Sequence, residues 1–379
     1  MLVPKTMSHP KPRIVVAMSG GVDSSVAALR LVREGYEVIG VTLHLWDYPE
    51  KIADAKARCC APEDQHDARR VADALDIPHY VFDRRQLFQH HVVGPFIEAY
   101  LGGTTPSPCN DCNRTVKLTE LFHIADTLGA SHVATGHYAR ILADSRGVKR
   151  IARGLDAQKD QSYFLHATPR NQIDRLLFPL GESSKSEVRA EALGHHLTGA
   201  AKAESQELCF IGAGDGAYAA FVQDRAAERV RPGPILDEAG HVVGHHEGVH
   251  RFTVGQRKGL GVASAQPVFV ERIDSETGAV HVGSGERLFA EEAVLEDVCL
   301  GDGITLPLEG AIVRVRYRHL GQIARVVSDG GVTRVCFEAP ARALTPGQTA
   351  VIYEGDCVVG GGRIAYARRP SVGQGTALA

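Results

Sequence analysis

The chain has 379 residues, 44% of them apolar and 23% charged, with a formal net charge of −3. That length supplies two or three hydrophobic cores, and the near-neutral balance excludes polyanion binding through the overall field, so RNA or DNA must be held by local basic surface. No stretch approaches the roughly 20 apolar residues that span a bilayer, and the segment up to Arg13 lacks the apolar core of a secretory signal. The expected address is therefore cytoplasmic with no membrane partner, where cysteines stay as free thiols, metal ligands or redox groups.

Strand patterns at Ile14–Met18, Val38–Leu43, His79–Phe82 and His132–Thr135 alternate with helix patterns at Val26–Glu34, Asp67–Leu75, Leu87–Tyr100 and Leu118–Leu128. This rhythm predicts an α/β domain built on a doubly wound parallel sheet, whose ligands lie beyond the carboxyl ends of the strands.

Between the first strand and helix stands Met18-Ser19-Gly20-Gly21-Val22-Asp23-Ser24-Ser25. Gly20 and Gly21 let the backbone turn and bring main-chain N–H groups near phosphate oxygens, while Ser19, Ser24 and the helix N-terminus add donors. A Walker A loop would end in Gly-Lys-Ser/Thr; here Asp23-Ser24 suits enzymes that split ATP into AMP and pyrophosphate. An ordinary glycine turn is the plainer alternative, but strand, loop and helix all supply the context that the motif requires. Ala17, Met18, Ser19, Gly20, Gly21, Val22, Asp23 and Ser24 are thus the expected nucleotide cradle, with Gly136 converging on it and Leu43 packing on the adenine.

Thr105-Pro106-Ser107-Pro108-Cys109-Asn110-Asp111-Cys112-Asn113 puts a CxxC pair on what reads as a proline-stiffened loop, and Cys209 lies far downstream. One CxxC makes a poor zinc site. The polar setting of Cys112, with Arg114 and Lys117 nearby, favours a reactive thiolate over an inert core thiol. Cys59 and Cys60 read as core or loop, and Cys299, Cys336 and Cys357 as core. A helix begins after Ser184, whose capping box with Glu187 places Val188, Ala192 and Leu193 on one face, a structural role.

From about Arg231 the texture becomes all-β, with strands at Val268–Ile273, Ala279–Val282, Ile312–Arg318, Arg334–Phe337 and Thr349–Tyr353. Boundaries near 220 and 292 divide the chain into 12–220, 221–292 and 293–367. Alternation puts Arg314, Arg316 and Arg318 on one strand face, suited to RNA phosphates or to plain solvation. Gly360-Gly361-Gly362 reads as a tight bend, and the polar end from Arg368 as disordered.

Taken in order, SGGVDSSV, Cys59-Cys60 with Asp67 to Ala72, TPSPCNDCN, Ala134 to Arg140, Lys159 to Leu165, Phe178 to Gly181, Cys209 to Gly212, Thr253 to Gly261 and Ala343 to Gln348 resemble the tRNA-specific 2-thiouridylases. The resemblance implies an ATP-pyrophosphatase domain, a small central β-rich domain and a C-terminal tRNA-binding β-barrel. It implies ATP with Mg²⁺ and replacement of the C2 oxygen of the wobble uridine by sulfur, with tRNA and a sulfur-donor protein, a persulfide relay or cysteine desulfurase, as partners. Cys112 matches the nucleophile and Cys209 the persulfide carrier; His137, Lys159, Asp160, Gln161, Arg316, Tyr317 and Gln348 match tRNA-contacting positions. Many relatives carry Asp where Cys109 stands. This departure leaves open a [4Fe–4S] cluster on Cys109, Cys112 and Cys209. The rival readings are another ATP pyrophosphatase acting on a different carbonyl, a non-catalytic RNA-binding protein and a zinc-bound interaction protein.

Overall fold

The computed structural model describes residues 12–47, 62–200, 208–212, 214 and 216–368. Two compact units form, one from 1–91 with 111–210 and the other from 92–110 with 211–379. Cys59, Cys60 and the expected disordered tail beyond Arg368 lie outside the described residues.

Elements of the first 200 residues run β1 (Arg13–Ala17), α1 (Val22–Arg33), β2 (Glu37–His44), α2 (Pro62–Ala74), β3 (His79–Asp83), α3 (Arg85–Phe88), α4 (Gly94–Leu101), α5 (Pro108–Cys112), α6 (Leu118–Thr127), β4 (His132–Ala134), β5 (Ala139–Ala143), β6 (Lys149–Arg153), α7 (Arg170–Ile173), β7 (Leu176–Leu177) and α8 (Lys185–Gly194). In the first unit the sheet order is β3-β2-β1-β4-β7, and every pairing is parallel. Ile14, Val15 and Val16 are fully buried, as a strand covered on both faces requires. The chain moves outward from β1 to β2 and β3, then returns with β4 on the other side of β1. The carboxyl end of β1 is therefore the switch point at which such sheets bind ligands. Val26, Ala27 and Leu29 of α1, Val71 of α2 and Val188 of α8 share one apolar core with Ile14 and Val16.

Several local expectations change. Helix α1 starts at Val22, four residues before the periodic apolar run, because the extended backbone of Gly21 takes the N-cap position and Asp23 and Ser24 are polar first-turn residues. The single helix expected over Leu87–Tyr100 is α3, a π-helical turn Gln89–Val93 and α4. The cysteine pair stands on a helix, not a loop, since Pro108 takes the first helical position, where its missing N–H costs nothing. The capping box of Ser184 with Glu187 forms as expected, with Val188 and Ala192 buried. Leu193, however, is 53% exposed, one residue round the helix from that stripe.

The second unit adds α9 (Ala217–Ala226) and a four-stranded sheet of β8 (Gly233–Leu236), β9 (Val242–His246), β10 (Phe269–Asp274) and β11 (Ala279–Gly283), in the order β10-β11-β8-β9. Ile235, Phe252, Leu260, Val270, Val280 and Val282 form its core. Strands β12 (Phe289–Leu300), β13 (Leu308–Arg314), β14 (Gln322–Asp329), β15 (Val332–Arg342), β16 (Thr349–Glu354) and β17 (Cys357–Arg368) follow in the order β12-β15-β14-β13-β16-β17, closed by pairing of β12 with β17. Closure leaves this barrel without an open edge.

Here too the structure corrects the sequence reading. Gly360 to Gly362 lie inside β17, not at a bend; a Cβ on Gly360 would come 2.7 Å from the Cys299 carbonyl oxygen. Cys357 is buried, but Cys299 is exposed and Cys336 half-buried. The β12–β17 register shifts between Glu296 and Cys299, which re-aims the side chains beyond it. Strand β13 stops at Arg314, so the three-arginine face does not exist. Arg314 is buried and its guanidinium donates to the carbonyls of Tyr317 and His319, closing a turn, while Arg316 and Arg318 are exposed.

Candidate active site

Ala17 ends β1, buried Met18 follows, and Ser19 to Gly21 turn into α1. Gly20 has φ +74°, and a Cβ there would stand 2.1 Å from the Asp64 carbonyl oxygen at the start of α2. Only glycine satisfies both demands. The Ser19 N–H donates to Ser24 Oγ at 3.1 Å, and Ser24 Oγ and Ser25 Oγ each donate to the Gly21 carbonyl at 3.0 Å. These bonds fix the turn, while Gly21 provides no side-chain cap. The first N–H groups of α1 thus point out of the helix with no side-chain cap from Gly21. Gly136 closes one side: a Cβ there would lie 2.8 Å from the Ser24 nitrogen. Leu43 is buried in β2.

Asp23 has partners that sequence reasoning missed. Lys185 Nζ donates to both carboxylate oxygens at 2.7 Å, and the Tyr138 hydroxyl donates to Oδ1 at 2.8 Å. Lys185 opens α8, which Arg30 of α1 holds through Glu191 Oε2, the Pro179 carbonyl and Ser183 Oγ. The capping box that looked merely structural therefore delivers a cation to the cradle. Its only sequence signal was a lysine directly after a strong N-cap.

His137 bonds through Nδ1 to Thr135 Oγ1 at 2.8 Å and meets Phe178 edge-on. Burial, with Lys117 adding to it, pushes its pKa down to about 3, so the ring is neutral near pH 7. Asp160 is buried and accepts from the N–H groups of Gly154 and Ser162, while Gln161 Oε1 accepts from the Tyr138 N–H. These two shape the loop behind Tyr138. Lys159 is half-buried.

None of Cys109, Cys112 and Cys209 is in a disulfide. Cys112 is buried on α5, and that burial pushes its thiol pKa up; Lys117 opposes the shift without reversing it. The expected ready thiolate is thus a protonated thiol at rest, because desolvation outweighs the nearby cation. Cys209 is half-buried on a turn whose next residues, Phe210 and Ile211, are buried. Phe210 packs against Phe88 at 5.5 Å and Trp46 at 6.1 Å between ring centroids, both T-shaped. Among the described residues no three His, Cys, Asp or Glu side chains gather as a metal site, so the geometry lends the [4Fe–4S] alternative no ligand set.

In the second unit, Arg316 is exposed and Tyr317 half-buried. Gln348 donates through Nε2 to the carbonyls of Thr105 and Pro106, each at 3.1 Å. This fastens the segment before the CxxC pair to the barrel.

Residues 12–213 match the family described as "tRNA methyl transferase HUP domain", 219–284 the "tRNA methyl transferase PRC-barrel domain" and 308–364 the "Aminomethyltransferase beta-barrel domain". Among curated relatives, the tRNA-specific 2-thiouridylase MnmA of Sorangium cellulosum is 59% identical, covering 94% of this chain and 93% of its own. The chain belongs to the tRNA-specific 2-thiouridylase family. Its MnmA relatives from Moorella thermoacetica (47% identical, 92% of this chain and 98% of the relative) and Heliobacterium modesticaldum (46%, 93% and 92%) span it as fully. Among the described residues no helix is long and apolar enough to cross a membrane.

Proposed function

We propose that this protein is an ATP-dependent tRNA-uridine 2-sulfurtransferase of the cytoplasm that converts the wobble uridine to 2-thiouridine, releasing AMP and pyrophosphate. The observation that carries this reading is the uncapped N-terminus of α1 behind Gly20-Gly21, in the same unit as the thiols of Cys112 and Cys209. The C2 oxygen of uridine is a poor leaving group. It attacks the α-phosphorus of ATP, pyrophosphate departs into the N–H groups after Gly21, and Lys185 offsets the charge of Asp23 beside it. Mg²⁺ bound together with the nucleotide would supply charge stabilisation to the departing pyrophosphate.

Sulfur then replaces the activated oxygen. The terminal sulfur of a Cys209 persulfide bonds to C2, and the C2–O bond breaks with AMP as leaving group. A deprotonated Cys112 next attacks Cys209 Sγ, breaking the persulfide S–S bond; the base keeps the sulfur and a Cys112–Cys209 disulfide forms, which an external dithiol reduces. The alternative route, in which Cys112 first frees hydrosulfide from the persulfide, uses the same residues. A sulfur-donor protein recharges Cys209. The target base must leave its stack to reach the cradle. His137, Lys159, Asp160, Gln161, Arg316, Tyr317 and Gln348 are the positions that contact the RNA, with Asp160, Gln161 and Gln348 held in place by their hydrogen bonds. In this scheme 12–220 carries the chemistry, 221–292 links, and 293–367 grips tRNA.

The test is mass spectrometry of wobble nucleosides after incubating tRNA and the protein with ATP, Mg²⁺ and a cysteine desulfurase with its cysteine substrate, which delivers persulfide-level sulfur to Cys209. Wild type is expected to form 2-thiouridine; Cys112→Ser and Cys209→Ser are expected to lose it while still releasing pyrophosphate. Absence of product from wild type, or unchanged product in both variants, defeats the reading.

A further inference from the structure

Within the second unit, the loop from Thr253 to Gly261 is built more rigidly than a solvent loop needs. Gly255 N–H donates to the Val270 carbonyl at 2.8 Å, and Val270 N–H donates to the Gln256 carbonyl at 2.9 Å. The Gln256 side chain staples the turn from both sides: Oε1 accepts from Thr253 N–H and Nε2 donates to the Lys258 carbonyl, each at 3.0 Å. Gly255, Gly259 and Gly261 have φ of +89°, +74° and +67°, and Leu260 anchors the loop in the core with Phe252 and Val270. Arg257, Lys258 and Gly259 at the tip are exposed, beside an open cavity of about 500 Å³ that runs on to Pro267 and Val268.

Most arginines of this region are compensated, and Arg231, which has no carboxylate partner, instead donates to the Glu228 and Val230 carbonyls. Arg229, Arg251, Arg272 and Arg287 of the same region pair with Glu98, Glu247, Asp274 and Glu238. Among the described residues, Arg257 and Lys258 have no carboxylate partner. The base of the loop also touches the segment that Gln348 holds: Thr105 Oγ1 donates to Thr253 Oγ1 at 3.2 Å, and the Thr105 carbonyl accepts from Gln348. A fixed backbone carrying two uncompensated cations loses little conformational freedom when a polyanion arrives. A loop serving solubility alone has no need of the staple or of this placement.

We propose that Arg257 and Lys258 form a phosphodiester-contacting tip that grips the backbone of the bound tRNA by charge, without reading bases. This rests on the tRNA reading above. Both cations are at the surface, so the contact is electrostatic and sensitive to salt.

The test uses the full-length protein and whole tRNA, with affinity measured by anisotropy over a range of KCl concentrations. Two lost phosphate contacts should reduce the log–log salt slope of Arg257→Ala/Lys258→Ala by roughly 1.5. The KM for tRNA should rise, with kcat, the KM for ATP and the thermal midpoint as in wild type. Arg257→Lys should keep the wild-type slope, because charge and not the guanidinium fork is at work. Lys258→Gln alone leaves every stapling bond in place and should lower the slope by roughly 0.8, so the inference remains testable if the double variant folds poorly. A slope and affinity equal to wild type in Lys258→Gln and in the folded double variant overturn the proposal. If wild type binds tRNA with a slope that the variants lower, yet forms no 2-thiouridine, the sulfurtransferase reading fails and the tip stands; thiolation with an unchanged slope is the reverse.

Discussion

Lys185 is the residue whose removal best separates the cradle from the sulfur chemistry. Both Asp23 oxygens rest on its ammonium, so Lys185→Ala leaves a carboxylate, bonded only by Tyr138, facing the incoming triphosphate. We expect pyrophosphate release to fall on the order of 10- to 100-fold, in line with the loss of one partner of a close charge pair. Tyr138→Phe, which removes one hydroxyl, should cost only severalfold. A pyrophosphate-release assay at saturating tRNA checks both, and equal losses would count against the charge argument. The glycines of the cradle were legible because their backbone demands are local. Lys185 was not, since its partner lies 162 residues away and only the fold brings them together. Cys112 shows the opposite failure: its polar neighbours in sequence were visible, but the burial that controls its proton was not.

At the level of elements, the β/α rhythm of the first half was readable because β1, β2 and β4 are short apolar runs buried on both faces, and α1, α2 and α8 keep helical period. Irregular joins were not readable. Pro108 looks like a loop residue until it is seen to start α5, and the arginines after Val313 alternate like a strand that in fact stops at Arg314. That stop yields a sharp contrast. Arg314→Ala should loosen the turn through His319 and lower barrel stability by about 1–3 kcal/mol, since a buried guanidinium bonded to two carbonyls is lost. Arg316→Ala, on an exposed side chain, should leave the urea midpoint unchanged and reduce the salt slope of tRNA binding by about one. Urea titration and anisotropy on the same two variants decide it; if Arg314→Ala costs nothing, the turn closes without its guanidinium.

For the whole molecule, two half-buried histidines bear on the acid limit. Burial pushes His137 down to about 3 and His166 down to about 4, in the latter with Arg114 contributing. An unfolded histidine titrates near 6.5. Both rings therefore favour the folded state fully above that value, and the benefit is lost as pH falls from there through about 4 and 3, because the unfolded chain takes up protons that the native chain refuses. His166→Asn should unfold at lower pH than wild type, as followed by the urea midpoint between pH 7 and 4. A midpoint that falls identically in both proteins would place the acid limit elsewhere.

Trp46 is the sole tryptophan of the chain, and it sits edge-on to the ring that follows Cys209. The protein thus carries its own optical gauge of the sulfur-carrying turn. Any shift of Phe210 changes the packing around the indole, so selective tryptophan excitation should report oxidation or sulfur loading of Cys209 in the wild type without an added dye. The signal should vanish in Cys209→Ser. An emission spectrum that stays constant while Cys209 is demonstrably modified would mean that the aromatic cluster holds the turn still throughout the sulfur cycle, and that the tRNA, not the protein, travels to meet the thiol.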